Sequence, residues 1–526
     1  MIRRARALFG ICLVLPATAL AQQPAAPPAV APAAPARVAP TVQLTLAQAL
    51  EQARRSSPTY RQTVNDAVPA GWAVRNSYAS FLPTFDVSGG MGYTGSGQST
   101  FGGSTFNQTS PSLSSSYSLS FGMQLSGATI SATGQQKANR HAVDADIANA
   151  GELLRNDIVV QYLTTLQAVA QTEVARQQVQ RNSDFLALAR AKYQVGQSTM
   201  LDVRQAEVQK GQSDVALLKA QQTQNEAKLE LFRRMGISIP ALPEAVALTD
   251  SFPVSEPQYD EKQLLALARE ENPSLQAFRA RDRAAEWGVR SAKSRFLPTL
   301  QAQASVSAFT QEFTNEQLLL NSRLTSAQGT ASNCRFQNAL IGTLPGGAGV
   351  PGYANGGVIA DCNAYASLDA TGDNLASDYR SSILKSNNVW PFNYTRQPFQ
   401  ASIRVSLPIF DQFSRNLAVA QARVQQEDMA ESVRARELQV ETDVAARYLG
   451  VQSAYQSIRV QEQSRQSARE QLRLAQDRYR LGSGSSLEVS DAQNNVTRAE
   501  GDYVNAIYEY HKAVALLEFA VGRPLR

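Results

Sequence analysis

Cysteine is nearly absent from this chain, with three among 526 residues, at positions 12, 334 and 362. Histidine is rarer still: His141 and His511 are the whole complement, and neither has ligand spacing. There is no metal-ligand cluster, no nucleophile–base arrangement and no glycine loop that opens a helix. These absences argue against an enzyme and leave no cofactor to assign. A charge excess is also lacking. Lys plus Arg is 50 against 45 for Asp plus Glu, a net charge of +5. The charges are interspersed, which reads as a solvated surface and not as a nucleic-acid footprint. Beyond the leader no apolar run is long enough for a membrane helix, so a mature chain that enters a bilayer must do so as strands. Finally, proline is missing from Ser112 to Ile239 and from Ile409 to Arg523. Nothing in either stretch forces a helix to stop.

What is there begins with a leader. Arg3, Arg4 and Arg6 precede the apolar stretch Leu8 to Leu15, and Ala19-Leu20-Ala21 ends it as a cleavage site. Residues 1–21 are therefore expected to be a secretory signal cut after Ala21. Cys12 lies inside the apolar stretch behind Ile11, not behind a small residue, so lipidation is disfavoured. Cys334 and Cys362 then remain alone in an oxidising compartment, and a disulfide between them is expected. It would close a ring of about 28 residues, worth roughly 3–4 kcal/mol to that segment. Residues 22–40, rich in Pro and Ala with the single charge Arg37, read as an extended tether.

The mature chain is duplicated. Phe81-Leu82-Pro83-Thr84 recurs as Phe296-Leu297-Pro298-Thr299, 215 residues on (296 − 81), and the same offset links Trp72 to Trp287 and Pro58 to Pro273. Further along the offset is 286. It relates Tyr193-Gln194-Val195-Gly196 to Tyr479-Arg480-Leu481-Gly482, Leu201-Asp202-Val203 to Leu487-Glu488-Val489, and Gly236 to Gly522. The second copy thus carries 71 extra residues (286 − 215), expected as a surface insertion over 311–398. The organisation expected is a first repeat over 41–236, a linker over 237–257 and a second repeat over 258–526.

Each repeat changes period twice. Helices are expected over Thr45–Arg55 and Thr59–Ser80, the latter kinked at Pro69-Ala70-Gly71, with Pro83, Pro298 and Pro408 as hinges between helix and strand. Four alternating segments follow, around Phe85–Tyr93, Tyr117–Leu125, Leu300–Val306 and Phe399–Leu407. Strands of ~10 residues with one apolar face suit a membrane barrel, yet four cannot close one. They form either a soluble half-buried sheet or part of a barrel shared among chains. The proline-free stretches predict helices over Gln135–Val195 and Phe413–Arg480, each roughly 90–100 Å long at ~1.5 Å per residue. Leu201–Met235 and Thr59–Ser80 would stack end to end beside the first. The apolar stripe Val159, Leu163, Leu166 and Val169 is narrow, with Gln161, Thr165, Gln167 and Gln171 around it. That composition fits both a long solvated coiled coil and the wall of a water-filled tube.

Taken together, the paired Phe-Leu-Pro segments with their upstream tryptophans, Ser406-Leu407-Pro408-Ile409-Phe410-Asp411, and the two Tyr-x-x-Gly turns leading to Leu-Asp/Glu-Val resemble the TolC-like outer-membrane efflux proteins. The likeness spans roughly Val42 to Arg523. It implies a mostly helical α+β fold: duplicated long-helix hairpins forming a trimeric α-barrel below a shared twelve-stranded transmembrane β-barrel. A homotrimer in outer-membrane lipid would serve a periplasmic adaptor and an inner-membrane transporter, with a helical belt from Leu44–Ser57, Gln258–Glu271 and the linker. By the same resemblance, the turns Gly196-Gln197-Ser198 and Gly482-Ser483-Gly484 would face the adaptor. Asp202, Glu488 and Asp491 would line the periplasmic aperture. Gly484 stands where some relatives carry a basic latch residue. From the residues alone the turns are ordinary helix hairpins, and the carboxylates a solvated face. A diffusion porin or a structural envelope coiled coil are the other readings.

Overall fold

The computed structural model describes residues 42–101, 104–238, 246–343 and 359–525. Ala21 and the expected tether over 22–40 lie outside the described residues. In the first half, β1 (Val42–Leu44) leads to α1 (Leu46–Ser56), α2 (Pro58–Asn65) and α3 (Ala67–Ala79). Then come β2 (Thr84–Thr94), β3 (Gly97–Phe101), β4 (Ser104–Thr109), β5 (Ser112–Leu125), α4 (Gly127–Gln194) and α5 (Met200–Met235). After β6 (Val246–Leu248), the second half runs through α6 (Glu261–Glu271), α7 (Pro273–Ser294) and β7 (Thr299–Phe313). The inserted elements α8 (Glu316–Thr343), α9 (Cys362–Tyr365) and α10 (Ser377–Asn387) follow, then β8 (Thr395–Arg396), β9 (Gln400–Ser406), α11 (Ser414–Arg480) and α12 (Ser486–Val521). The duplication governs the boundaries. The starts of α1 and α6 are 215 apart (261 − 46), as are those of β2 and β7 (299 − 84), while α5 and α12 are 286 apart (486 − 200).

Proline accounts for the one place where the halves differ in helix continuity. The chain breaks between α2 and α3 at Asp66, not at the expected Pro69-Ala70-Gly71. Pro69 cannot donate to Asn65 and its ring crowds that carbonyl, so the interruption falls one turn before the proline. The equivalent position in α7 is Ala284 (69 + 215), and α7 is unbroken over 22 residues.

The four main strands form one antiparallel sheet in the order β2-β5-β7-β9. Register puts Val87, Leu119 and Val306 on one face, with Phe85, Phe121, Ala304 and Ala401 two residues along on the same face. Ser88, Ser118 and Ser307 lie on the other. On the edge strands the apolar face is bare: Val87 of β2 is 75% and Ile403 of β9 77% exposed. Among the described residues β2 and β9 leave their outer edges unpaired. Pro83, Pro298 and Pro408 sit between helix and strand as expected. The fourth junction, β5 to α4, uses Gly127 instead, because a Cβ there would lie 2.0 Å from the Ser294 carbonyl oxygen.

The helices form long antiparallel pairs. α4 has 68 residues and α11 has 67, each roughly 100 Å at ~1.5 Å per residue. α4 packs on α5 over one length and on α3 over the other, and α11 on α12 and α7 likewise; α4 also meets α7 and α12, joining the halves. No described helix is long and apolar enough to cross a membrane. Two residues expected in the polar surround are buried: Gln161 Nε2 and Thr165 Oγ1 each donate to the Ala227 carbonyl at 3.1 Å, tying α4 to α5. Trp287 packs where Gly134 leaves room, whereas its counterpart Trp72 is 62% exposed.

A belt surrounds the middle of the bundle. α1 covers Leu154, Ile158, Leu231 and Phe232, and α6 covers Val440, Val444, Val514 and Leu517. The linker supplies an element not legible in the sequence, β6, which pairs in parallel with β1. Buried Tyr162 pins this pair: its hydroxyl donates to the Leu44 carbonyl (2.9 Å) and lies 2.8 Å from Asp250 Oδ2. Burial, then the neighbouring Asp250 carboxylate, pushes that phenol well above its ordinary range.

The insertion is not a plain surface loop. Strand pairing reaches Phe313 and resumes at Thr395, and among the described residues three helices lie in the interval. They have small cores of their own, Ala327, Ala331, Ala366 and Leu368 in one and Leu319, Leu320 and Ile383 in the other. The expected disulfide is present, joining Cys334 of α8 to Cys362 of α9 with Cα atoms 5.7 Å apart.

Candidate functional site at the hairpin tips

Both long helices end in the same turn. Gly196 and Gly482 have φ of +73° and +78°, and the next amides, Gln197 and Ser483, donate back to the Lys192 and Arg478 carbonyls at 2.8 and 2.9 Å. A left-handed residue with this six-to-one bond closes a helix while satisfying its last carbonyls. Nothing lies within 4 Å of a Cβ on either glycine, so conformation, not space, demands glycine, and both turns are open to solvent. Thr199 and Ser485 cap the outgoing helices, accepting from the amides of Asp202 (3.2 Å) and Glu488 (3.2 Å).

The aperture candidates therefore hold different places. Asp202 is spoken for. One oxygen accepts from the Thr199 amide (2.9 Å), the Thr199 hydroxyl (2.8 Å) and the Ser198 hydroxyl (3.0 Å), and the other from Ser486 Oγ of the second hairpin. Partial burial raises the Asp202 pKa, but the hydrogen bonds from Ser486, Thr199 and Ser198 outweigh it and hold it at about 2. Glu488 is exposed and pairs with Arg478 at 3.3 Å. Asp491 is exposed one turn along the same helix.

A residue the sequence reading missed completes the tip. Lys192, buried at the end of α4, donates to the Tyr479 carbonyl and, at 3.2 Å, to that of Arg480. A cation on the last carbonyls of a helix is favoured by their exposed negative ends. Its ammonium also lies 4.5 Å from the Tyr479 ring centroid, and that ring packs at a tilt against Phe185, centroids 5.4 Å apart. The only signal available was a lysine one residue before the Tyr-x-x-Gly turn, in the first repeat alone. Gly484 is closely backed by the end of α11: a Cβ would fall 3.0 Å from Arg478 Cβ and 3.1 Å from the Tyr479 nitrogen.

These two hairpins, with four strands and a duplicated frame, invite comparison with known proteins. The family model for outer membrane efflux protein matches residues 49–236 and 372–523. The chain belongs to that family. Its members are outer-membrane efflux proteins, not enzymes, and among the described residues no group of His, Cys, Asp and Glu could hold a metal ion. Solved structures share the fold at low identity. VceC of Vibrio cholerae superposes with a TM-score of 0.61 at 16% identity, over 91% of this chain and 97% of that one. The CmeC outer membrane channel of Campylobacter jejuni gives 0.64 at 12%, over 91% and 85%. The MtrE outer membrane channel of Neisseria gonorrhoeae gives 0.59 at 17%, over 91% and 89%. No curated protein sequence matches the chain. The gap in the family match, 237–371, contains the linker and the first part of the insertion, and the match resumes at 372, within the insertion.

Proposed function

We propose that this protein is the outer-membrane exit duct of a tripartite efflux or type I secretion system, a passive conduit whose energy comes from its partners. The observation that carries the reading is a four-stranded sheet with two free edges joined to helices roughly 100 Å long. Open edges are not tolerated in hydrocarbon, and four strands are half of the about eight needed to close a barrel. Copies of the chain supply the rest: a homotrimer gives twelve strands (3 × 4), with β2 of each copy beside β9 of the next and the apolar face on outer-membrane lipid. The helices continue below as a tube. Its tips meet a periplasmic adaptor, and beyond that an inner-membrane transporter. The open faces of Gly196 and Gly482 support backbone-level docking there. Glu488 and Asp491 of three copies would set six carboxylates (3 × 2) around the axis, with Asp202 behind them tying the two hairpins of each copy together. Chemical cross-linking of detergent-extracted outer membranes is the test. A heat-resistant trimer is expected, and a stable monomer there overturns the proposal. Deleting the gene separates the two systems: drug sensitivity marks efflux, and loss of a secreted polypeptide marks secretion.

A further inference from the structure

The outer wall of the sheet is not bare along its whole length. At the end remote from the helices, residues 389–394 of the insertion lie over the apolar face. Ser115 Oγ is 2.7 Å from Thr310 Oγ1 and 2.5 Å from the Pro391 carbonyl oxygen. The Tyr394 ring meets Tyr117 edge-on at 4.8 Å. Glu312 receives the Val389 and Trp390 amides at 3.1 and 2.9 Å, and Asn387 bonds both the amide and the carbonyl of Phe313 at 2.9 Å. The cover is close: Ser115, Ala308 and Thr310 are almost fully buried. All three share the face of Leu119, Phe121 and Ala304.

The height of this cover can be read along the strands. A strand rises ~3.3 Å per residue, and at a tilt of ~40° it climbs about 2.5 Å per residue toward the outside. An apolar band of ~25 Å therefore takes about ten residues. Ten residues on from Leu125 and from Leu300, at the helix end, stand Ser115 and Thr310, the two residues under Pro391. The segment rests on β5 and β7, the middle strands, away from the β2 and β9 edges where another copy would pair. It leaves Phe392 71% and Trp390 37% exposed, and Arg396, opposite Ala308 in register, projects from the same face. Aromatic rings with a nearby cation at this depth match the headgroup layer of a bilayer.

We infer that the insertion folds back over the outside of the barrel and sets Trp390 and Phe392 into the outer-leaflet headgroup zone, as an interfacial anchor for this end of the duct. The inference rests on the lipid-facing reading of the sheet proposed above, and the experiment separates the two. The full chain carrying Trp72→Phe and Trp287→Phe, with Trp390 as its remaining tryptophan, is reconstituted in vesicles of phosphatidylcholine brominated either near the headgroup or near the chain end. A reference protein carries Val87→Trp together with Trp72→Phe, Trp287→Phe and Trp390→Phe. Trp390 emission is expected to be quenched at least twofold more by shallow than by deep bromines, and the reference to be quenched by deep ones. A quenched reference with Trp390 unquenched and open to acrylamide overturns the anchor and leaves the lipid-facing sheet standing. Both unquenched overturns the lipid-facing sheet and the anchor with it.

Discussion

At the tip the first hairpin is joined to the second by the Ser486–Asp202 hydroxyl–carboxylate contact as well as by Lys192 on the end of α11. Because the folded pKa of Asp202 is depressed to about 2 from an ordinary 3.8, its stabilisation is complete above the ordinary value and is lost only as pH falls through about 2. The Ser486–Asp202 link should therefore withstand mild acid. Comparing Asp202→Asn with the unmodified protein in planar bilayers, the conductance difference is expected to stay constant from pH 8 to pH 4; a difference that disappears near pH 6 would assign control to another group. Tyr162 shows how the repeats diverged in chemistry while keeping their frame. Its counterpart Tyr448 instead accepts from Gln452 at 2.7 Å, and the second half fixes its linker through Tyr510, which donates to the Ser255 carbonyl at 2.7 Å. Tyr162→Phe leaves the Leu44 carbonyl without that donor, a loss of about 1–3 kcal/mol. It should speed hydrogen exchange in β1 and β6 but not in α6.

At the scale of elements, the contrast between α2–α3 and α7 is a natural experiment on one proline. Pro69→Ala is expected to restore the bond to the Asn65 carbonyl and fuse α2 with α3 into one helix like α7. Slower amide exchange around Asp66 would report it, and unchanged exchange would place the cause of the break elsewhere. The insertion makes a similar point about local content. It reads as polar and glycine-rich, yet α8 and α9 enclose alanines and leucines beside the disulfide. Reducing Cys334–Cys362 should destabilise this unit by roughly 3–4 kcal/mol, seen as faster exchange in α8 and α9. The long helices, whose main packing partners lie elsewhere, should be unaffected.

The molecule as a whole is an incomplete object: a sheet without closed edges on a bundle far longer than a domain core requires. In the proposed homotrimer its selectivity should lie where copies converge. Glu488→Ala with Asp491→Ala is expected to raise single-channel conductance and lower cation selectivity. The second effect is reinforced because Arg478 loses its partner Glu488. Unchanged conductance and selectivity together would move the aperture away from α12.

Repeat offsets, proline gaps and period-two segments were enough to place the long helices, the four strands and the prolines between helix and strand, because each depends on local backbone chemistry or on a copy of itself; the disulfide followed from the cysteine count, which left one pairing. The tip turns were legible for the same reason: a positive φ after a helix leaves glycine as the easy choice. Other features depend on which distant segments meet. Gln161 and Thr165 are buried because α5 happens to offer a carbonyl to them. β1 finds β6 some 200 residues away (246 − 42). Lys192 becomes a tie only because the end of α11 lies beside it, and Asp202 becomes a link between hairpins because Ser486 reaches it. These are long-range encounters between polar groups, and no local periodicity encodes their partners. Tertiary packing alone decided them.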